Sequence, residues 1–176
     1  MKREYIKEQI RTIPDFPKKG IMFRDITTLI GDAKGLRYVI EEFVDRYRDM
    51  SIDSVAGIES RGFIIAGAIA KELGVGFVPI RKPGKLPYKT ASYEYELEYG
   101  KDKVEIHVDA VKENENVLIV DDLLATGGTM RAAAKLIETL RGVVVECAFI
   151  VTLPELGGKE KLKGYKTFHL VEFEGE

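Results

Sequence analysis

Apolar residues in this chain follow two rhythms, and the changes between them mark out its elements. Leu36, Val39, Ile40, Phe43, Val44 and Tyr47 recur every three or four positions, which predicts an amphipathic helix opened by Gly31 or Asp32. Tyr5, Ile6, Gln9 and Ile10 share one face of a shorter helix over residues 2–12. Pro14, Pro17 and Gly20 then break the pattern, so IPDFPKKGIMFRDI (13–26) is expected to be a loop. The unbroken runs SVAGI (54–58), VGFVPI (75–80), VLIVDD (117–122), VVVECAFIV (143–151) and KTFHLVEF (166–173) read as strands. Helices fill two of the intervals, FIIAGAIAKEL ending at Gly74 and a second from Gly128 to Leu140. Residues 92–98 and 103–108 alternate in polarity, predicting an antiparallel pair around YGKDK. Strands alternating with helices imply an α/β fold: a central, mainly parallel sheet flanked by helices, in one domain spanning residues 1–176.

Composition narrows the function classes. The 176 residues carry 27 basic and 29 acidic side chains, a net charge of −2, which argues against a nucleic-acid-binding surface but leaves room for a local basic pocket. The one cysteine, Cys147, sits in an apolar run and reads as strand core. The charged N-terminus MKREYIKEQI is unlike a signal peptide, and no apolar stretch approaches the ~18 residues of a membrane span, so a cytoplasmic protein without membrane contact is expected. His107 and His169 lie in strand-like segments without metal-ligand company and read as structural.

The candidate chemistry lies in VLIVDDLLATGGT (117–129). Ligands of open α/β sheets sit beyond the carboxyl ends of strands, where Asp121 and Asp122 fall. Ala125, Thr126, Gly127, Gly128 and Thr129 then form a small-residue turn into a helix. Glycines there permit positive φ and close approach, and free N–H groups with two threonine hydroxyls make an anion cradle. Carboxylates for a diol beside a turn for a phosphate suit a ribose 5-phosphate. Neither GxxxxGK[ST] nor GxGxxG is present. A purely structural strand–turn–helix is the alternative, and it leaves two acids at an apolar strand's mouth unexplained.

This segment resembles the phosphoribosyl pyrophosphate-binding motif of the type I phosphoribosyltransferases. Three more segments resemble the adenine phosphoribosyltransferases within that family: GIMFRDIT (20–27), ESRGF (59–63) and RKPGKLPYKTASYEYELEYG (81–100). The resemblance implies the type I fold, with 81–100 as a flexible loop and small hood. It implies transfer of the 5-phosphoribosyl group to adenine, giving AMP and diphosphate in purine salvage.

By the same resemblance, Phe23 stacks on adenine while the backbone of Met22 and Arg24 reads its edge, and Leu123 or Leu124 covers the other face. Arg61 acts in catalysis and, with Arg81, Lys82 and Lys85, binds pyrophosphate. Glu98 approaches N7 of the base as a catalytic group. Mg²⁺ is held mainly by substrate and water, and a homodimer forms in which a loop near Arg81 reaches the partner's site. Bland readings stand beside each assignment. Phe23 as core with an Arg24–Asp25 surface pair is one, Glu59 capping a helix another, and 81–100 a solvated basic loop a third. Glu94, Glu96 and Glu98 as one solvent-facing strand side is a fourth. Two functional rivals remain: a transferase for hypoxanthine, xanthine or orotate, or a non-catalytic regulator that binds the donor.

Overall fold

In the computed structural model, which describes residues 1–96 and 100–175, the five apolar runs become one parallel sheet. Its strands are β3 (Ser54–Ile58), β4 (Gly76–Ile80), β7 (Asn116–Leu124), β8 (Val143–Thr152) and β9 (Thr167–Glu172), in the order β4-β3-β7-β8-β9. Strands covered on both faces need apolar side chains in both directions. In β7, Leu118 and Val120 face a core shared with α1 (Lys2–Glu8), α3 (Ala33–Tyr47) and α4 (Arg61–Leu73). Val117 and Ile119 face the opposite core, under α5 (Gly128–Thr139) and the hairpin of β5 (Thr90–Glu96) and β6 (Lys101–His107). Asp32, not Gly31, opens α3: its carboxylate accepts the Gly35 N–H at 2.7 Å. Gly74 closes α4 in the left-handed conformation, φ 72°.

The expected loop 13–26 needs correction. Residues Arg11–Pro14 (β1) and Met22–Asp25 (β2) pair as an antiparallel ladder, Arg11 opposite Asp25 and Pro14 opposite Met22, and α2 (Thr27–Gly31) follows. Strands of four residues flanked by proline are too short to show a period in sequence. Their anchor is tertiary: the Asp25 carboxylate, 7% exposed, accepts from the Thr27 N–H (2.9 Å) and hydroxyl (2.7 Å) and from Arg11 (2.5 Å). Recruitment of Arg11 into β1 also ends the first helix at Glu8, short of residue 12. The strand β7 extends past both acids to Leu124, because β8 runs on beside it (Leu123 opposite Val151) whereas β3 stops pairing at Val120. The hairpin is wider than its alternation suggested, closing at Glu96 opposite Lys101. A short helix α6 (Gly158–Lys161) lies where none was expected.

Asp25 carries a pH prediction. The Thr27 hydroxyl, Arg11 and the Thr27 N–H hold its carboxyl at about 2, against 3.8 unperturbed. A depressed acid stabilises the fold fully above its unfolded pKa and loses that contribution as pH falls toward the folded one. Asp25→Asn is therefore expected to cost about 2 kcal/mol at pH 7. Denaturant melts should show the gap to wild type closing between pH 4 and 2; a pH-independent gap would assign the cost to packing.

Candidate active site

The strands deliver their chemistry at one edge because they end at different heights. After Ile58 the chain leaves β3 through Glu59 and Ser60, joined by a cis peptide, and α4 begins at Arg61. The next residue must be glycine. A Cβ at Gly62 would lie 2.9 Å from Asp121 Oδ1 and 3.1 Å from the Val120 carbonyl, so its absence lets α4 close onto β7. That approach brings the Arg61 Nε to Asp122 Oδ2 at 2.5 Å.

The two neighbouring acids differ. Asp122 is 5% exposed and paired with Arg61. Asp121 turns back to accept the Asp122 N–H at 2.9 Å. Burial first, and the Asp122 charge second, push the Asp121 carboxyl well above the usual carboxylate range.

A cleft of about 370 Å³ opens here, lined by the cations Arg61, Arg81 and Lys82, the acids Glu59, Asp121 and Asp122, and by Leu123 and Thr129. Its cations are already matched. Glu59 accepts from Arg81 Nε (2.7 Å) and Lys85 Nζ (2.8 Å). Although burial opposes it, those bonds hold Glu59 below its ordinary pKa. Glu59 therefore does not cap α4, whose N-cap Ser60 also makes no side-chain capping bond. Lys82 bonds Asp102 and the Tyr95 hydroxyl. An anionic ligand would exchange with these carboxylates for partners already in place, so little net charge has to be created on binding.

The turn after β7 is shaped by a close neighbour. Gly127 has φ 80°, and a Cβ there would meet the Gly158 carbonyl at 2.7 Å. Gly128 departs from expectation: it has no positive φ, and its missing Cβ instead seats the Tyr95 ring, 3.2 Å away. Thr129 Oγ1 lies 3.0 Å from the Tyr95 hydroxyl. Of the five turn residues only Thr129 lines the main cleft. Gly128 lines an adjoining hollow of about 320 Å³ with Tyr95 and Arg131, while Ala125 is half-buried and Thr126 exposed. The first N–H groups of α5 carry no side-chain cap, which leaves them for an anion.

On the other flank, β2 brings Phe23 beside Arg61, whose guanidinium lies 5.7 Å from the ring centroid. Phe16 packs edge-on to the same ring at 5.1 Å. Leu123 lines the cleft while Leu124 is buried in the core, so of the two only Leu123 reaches the cleft. The Arg24 guanidinium points away, donating to Thr12 Oγ1 (2.6 Å) and the Glu174 carbonyl (2.8 Å) rather than pairing with Asp25. Its backbone and that of Met22 lie in β2, which pairs only with β1 among the described residues. Glu98 falls outside the described residues.

Cys147 is buried, and burial pushes its thiol up to about 12, so it is inert core. His107 accepts the Tyr88 N–H and His169 pairs with Glu172, both away from the cleft lining. No group of three or more metal-ligating side chains occurs among the described residues, and no helix there is long and apolar enough to cross a membrane. Sequence reasoning missed Tyr95 and Asp102. The same alternation that put Glu94 and Glu96 on the outer face implied an inward Tyr95, so that signal was available for one of them.

Residues 32–174 match the family model described as a phosphoribosyl transferase domain. The chain is 62% identical to the adenine phosphoribosyltransferase of Methylobacillus flagellatus, over 96% of this chain and 97% of that one. The Chlorobium luteolum adenine phosphoribosyltransferase is also 62% identical, over 97% and 99%. Its fold is similar to a crystal structure of the Thermoanaerobacter pseudethanolicus adenine phosphoribosyltransferase, with TM-score 0.94 and 54% identity over 97% and 99% of the two chains. The Saccharomyces cerevisiae enzyme, solved with adenine and an imino-altritol bisphosphate, superimposes with TM-score 0.92 at 37% identity over 97% and 98%.

Proposed function

This chain belongs to the adenine phosphoribosyltransferase family, and on that premise we propose how its cleft performs the family's reaction. It transfers the 5-phosphoribosyl group of phosphoribosyl pyrophosphate to adenine, giving AMP and diphosphate. N9 of adenine bonds to C1 of the ribose as the C1–O bond to diphosphate breaks and the N9 proton is lost.

The observation that carries the assignment of parts is the meeting of three elements at one cleft: the Asp121–Asp122 strand end, Thr129 at the end of the glycine turn, and the Arg61 helix start. The carboxylates accept from the ribose hydroxyls, and Ala125–Thr129 hold the 5-phosphate. Arg61, Arg81, Lys82 and Lys85 take up charge on the departing diphosphate, the largest electrostatic task in the reaction. Adenine lies between Phe23 and Leu123, read by the backbone of Met22 and Arg24, with Glu98 attending N7. The hairpin β5–β6, with residues 81–100, acts as the hood that excludes water from the donor, all within one domain over residues 1–176.

The cleft has no cage of metal-ligating side chains among the described residues, which suits Mg²⁺ held mainly by substrate and water, and Asp121 and Asp122 are the lining carboxylates that would help to hold it. When bound, the ion supplies neutralising charge to the diphosphate. We assign the enzyme to the cytoplasm and to a homodimer. Support for the dimer is exposed apolar surface beside the cleft: Phe77 (38% exposed) packs edge-on to Phe63, whose ring faces Arg81, and Ile64, the next residue, is 47% exposed. Sedimentation giving the mass of one chain at micromolar concentration would remove it.

The deciding assay supplies phosphoribosyl pyrophosphate and Mg²⁺ with adenine, hypoxanthine, xanthine or orotate. AMP formation with adenine far above the rest is expected. Turnover of hypoxanthine without adenine would overturn the base assignment, and donor binding without diphosphate release from any base would leave a regulator.

A further inference from the structure

Tyr95 reaches the only two parts of the cleft that bind phosphorus-containing groups in the proposed reaction. Tyr95 is 9% exposed and its ring comes within 3.2 Å of where a Cβ on Gly128 would lie, at the first turn of α5. Its hydroxyl stands 3.0 Å from Thr129 Oγ1 in the 5-phosphate turn, 3.1 Å from Lys82 Nζ, and 3.0 Å from Asp102 Oδ2. Lys82 also bonds Asp102 directly. A phenol has one proton to donate, and here two acceptors compete for it: the Asp102 carboxylate and the Thr129 hydroxyl.

We propose that Tyr95 is a positioning residue that couples occupancy of the 5-phosphate turn to the hold of Lys82 on diphosphate. The proposal rests on the assignment of those two subsites. In the empty cleft the charged carboxylate is the better acceptor, so Tyr95 donates to Asp102 and Thr129 donates to Tyr95. A phosphate on the turn draws the Thr129 proton to itself. Tyr95 then donates to Thr129, and the donation of Lys82 to the Tyr95 oxygen, already in place, falls into line with it, so all donors run from the ammonium toward the phosphate. Hydrogen bonds aligned this way strengthen one another. Asp102 loses the Tyr95 donor but keeps Lys82, whose ammonium, fixed by Asp102 and the Tyr95 oxygen, has its third proton to turn toward the diphosphate. Coupling between two ligands is reciprocal, so diphosphate tightens the 5-phosphate by the same factor. The donor carries both groups on one molecule and gains from the link, whereas a lone phosphate or diphosphate does not.

The test is calorimetric titration of diphosphate into the full-length protein with Mg²⁺, with and without saturating ribose 5-phosphate. The ratio of the two affinities is the readout, since a loss of packing alone would shift both titrations together. Wild type should show a ratio about fivefold larger than Tyr95→Phe. Thr129→Ser, which keeps the hydroxyl, should retain the wild-type ratio, and Thr129→Val should lose it. A Tyr95→Phe ratio equal to wild type within twofold overturns the coupling and leaves the function standing. Wild-type protein that binds neither ligand overturns both. A Tyr95→Phe protein that melts early is replaced in the comparison by the two Thr129 variants, which decide the same question.

Discussion

Replacing Asp122 by asparagine is expected to lower kcat/KM for AMP formation by roughly ten- to a hundredfold, the worth of a hydrogen bond to a charged group at about 1.5–3 kcal/mol. The substitution keeps the side chain's shape in its buried seat but removes the charge that holds Arg61 at 2.5 Å. On the assignment proposed above, two functions fail together: acceptance from the ribose, and orientation of the guanidinium assigned to the diphosphate. Both act on the donor, so the donor KM and kcat should change while the adenine KM moves little. Steady-state kinetics with each substrate varied will show this, and unchanged kcat/KM would take the carboxylate out of the mechanism. Asp121→Asn makes the contrast. Its carboxyl is raised in the folded state, so ionising it as pH rises costs stability that asparagine would not lose. That variant should be at least as stable as wild type at pH 7.5, with the difference vanishing near pH 4.

Gly127→Ala should damage both donor binding and the fold. The left-handed backbone at φ 80° costs an L side chain about 1–2 kcal/mol. The added Cβ would sit 2.7 Å from the Gly158 carbonyl, a backbone atom that cannot swing aside, and overpacking of that kind adds about 1–3 kcal/mol. Relief requires parting the 125–129 turn from the start of α6, which loosens the support of the N–H groups proposed to hold the phosphate. The donor KM should rise more than tenfold. Gly164→Ala is the control: its φ is 104° but nothing lies within 4 Å of a Cβ there, so it bears strain without a clash. If the two variants melt alike and bind donor alike, the contact with Gly158 has no part in shaping the turn.

The close approach of Gly127 to Gly158 also shows where sequence reading stops. The turn VLIVDDLLATGGT was legible because strand, acids and glycines are contiguous, and each restricts the backbone locally. Gly158 lies some thirty residues on, in a helix too short to announce itself by periodicity. Gly62 is similar: nothing local in ESRGF marks it out, and its reason, the Asp121 carboxylate 2.9 Å from a would-be Cβ, is set by strand order. Four-residue strands carry no measurable alternation, so nothing in the sequence separates the β1–β2 ladder from a loop, and its stability comes from Asp25 with Arg11 and Thr27.

By itself the sequence determined the five strands of the parallel sheet, α3, α4 and α5, the acid pair and the small-residue turn after it. It did so because burial on both faces and tight turns impose local residue choices. Tertiary structure alone decided which charges meet: Arg61 with Asp122, Glu59 with Arg81 and Lys85, Lys82 with Tyr95 and Asp102. Charge pairs across a cleft depend on how strands end relative to one another, and no local preference of the chain encodes that distance.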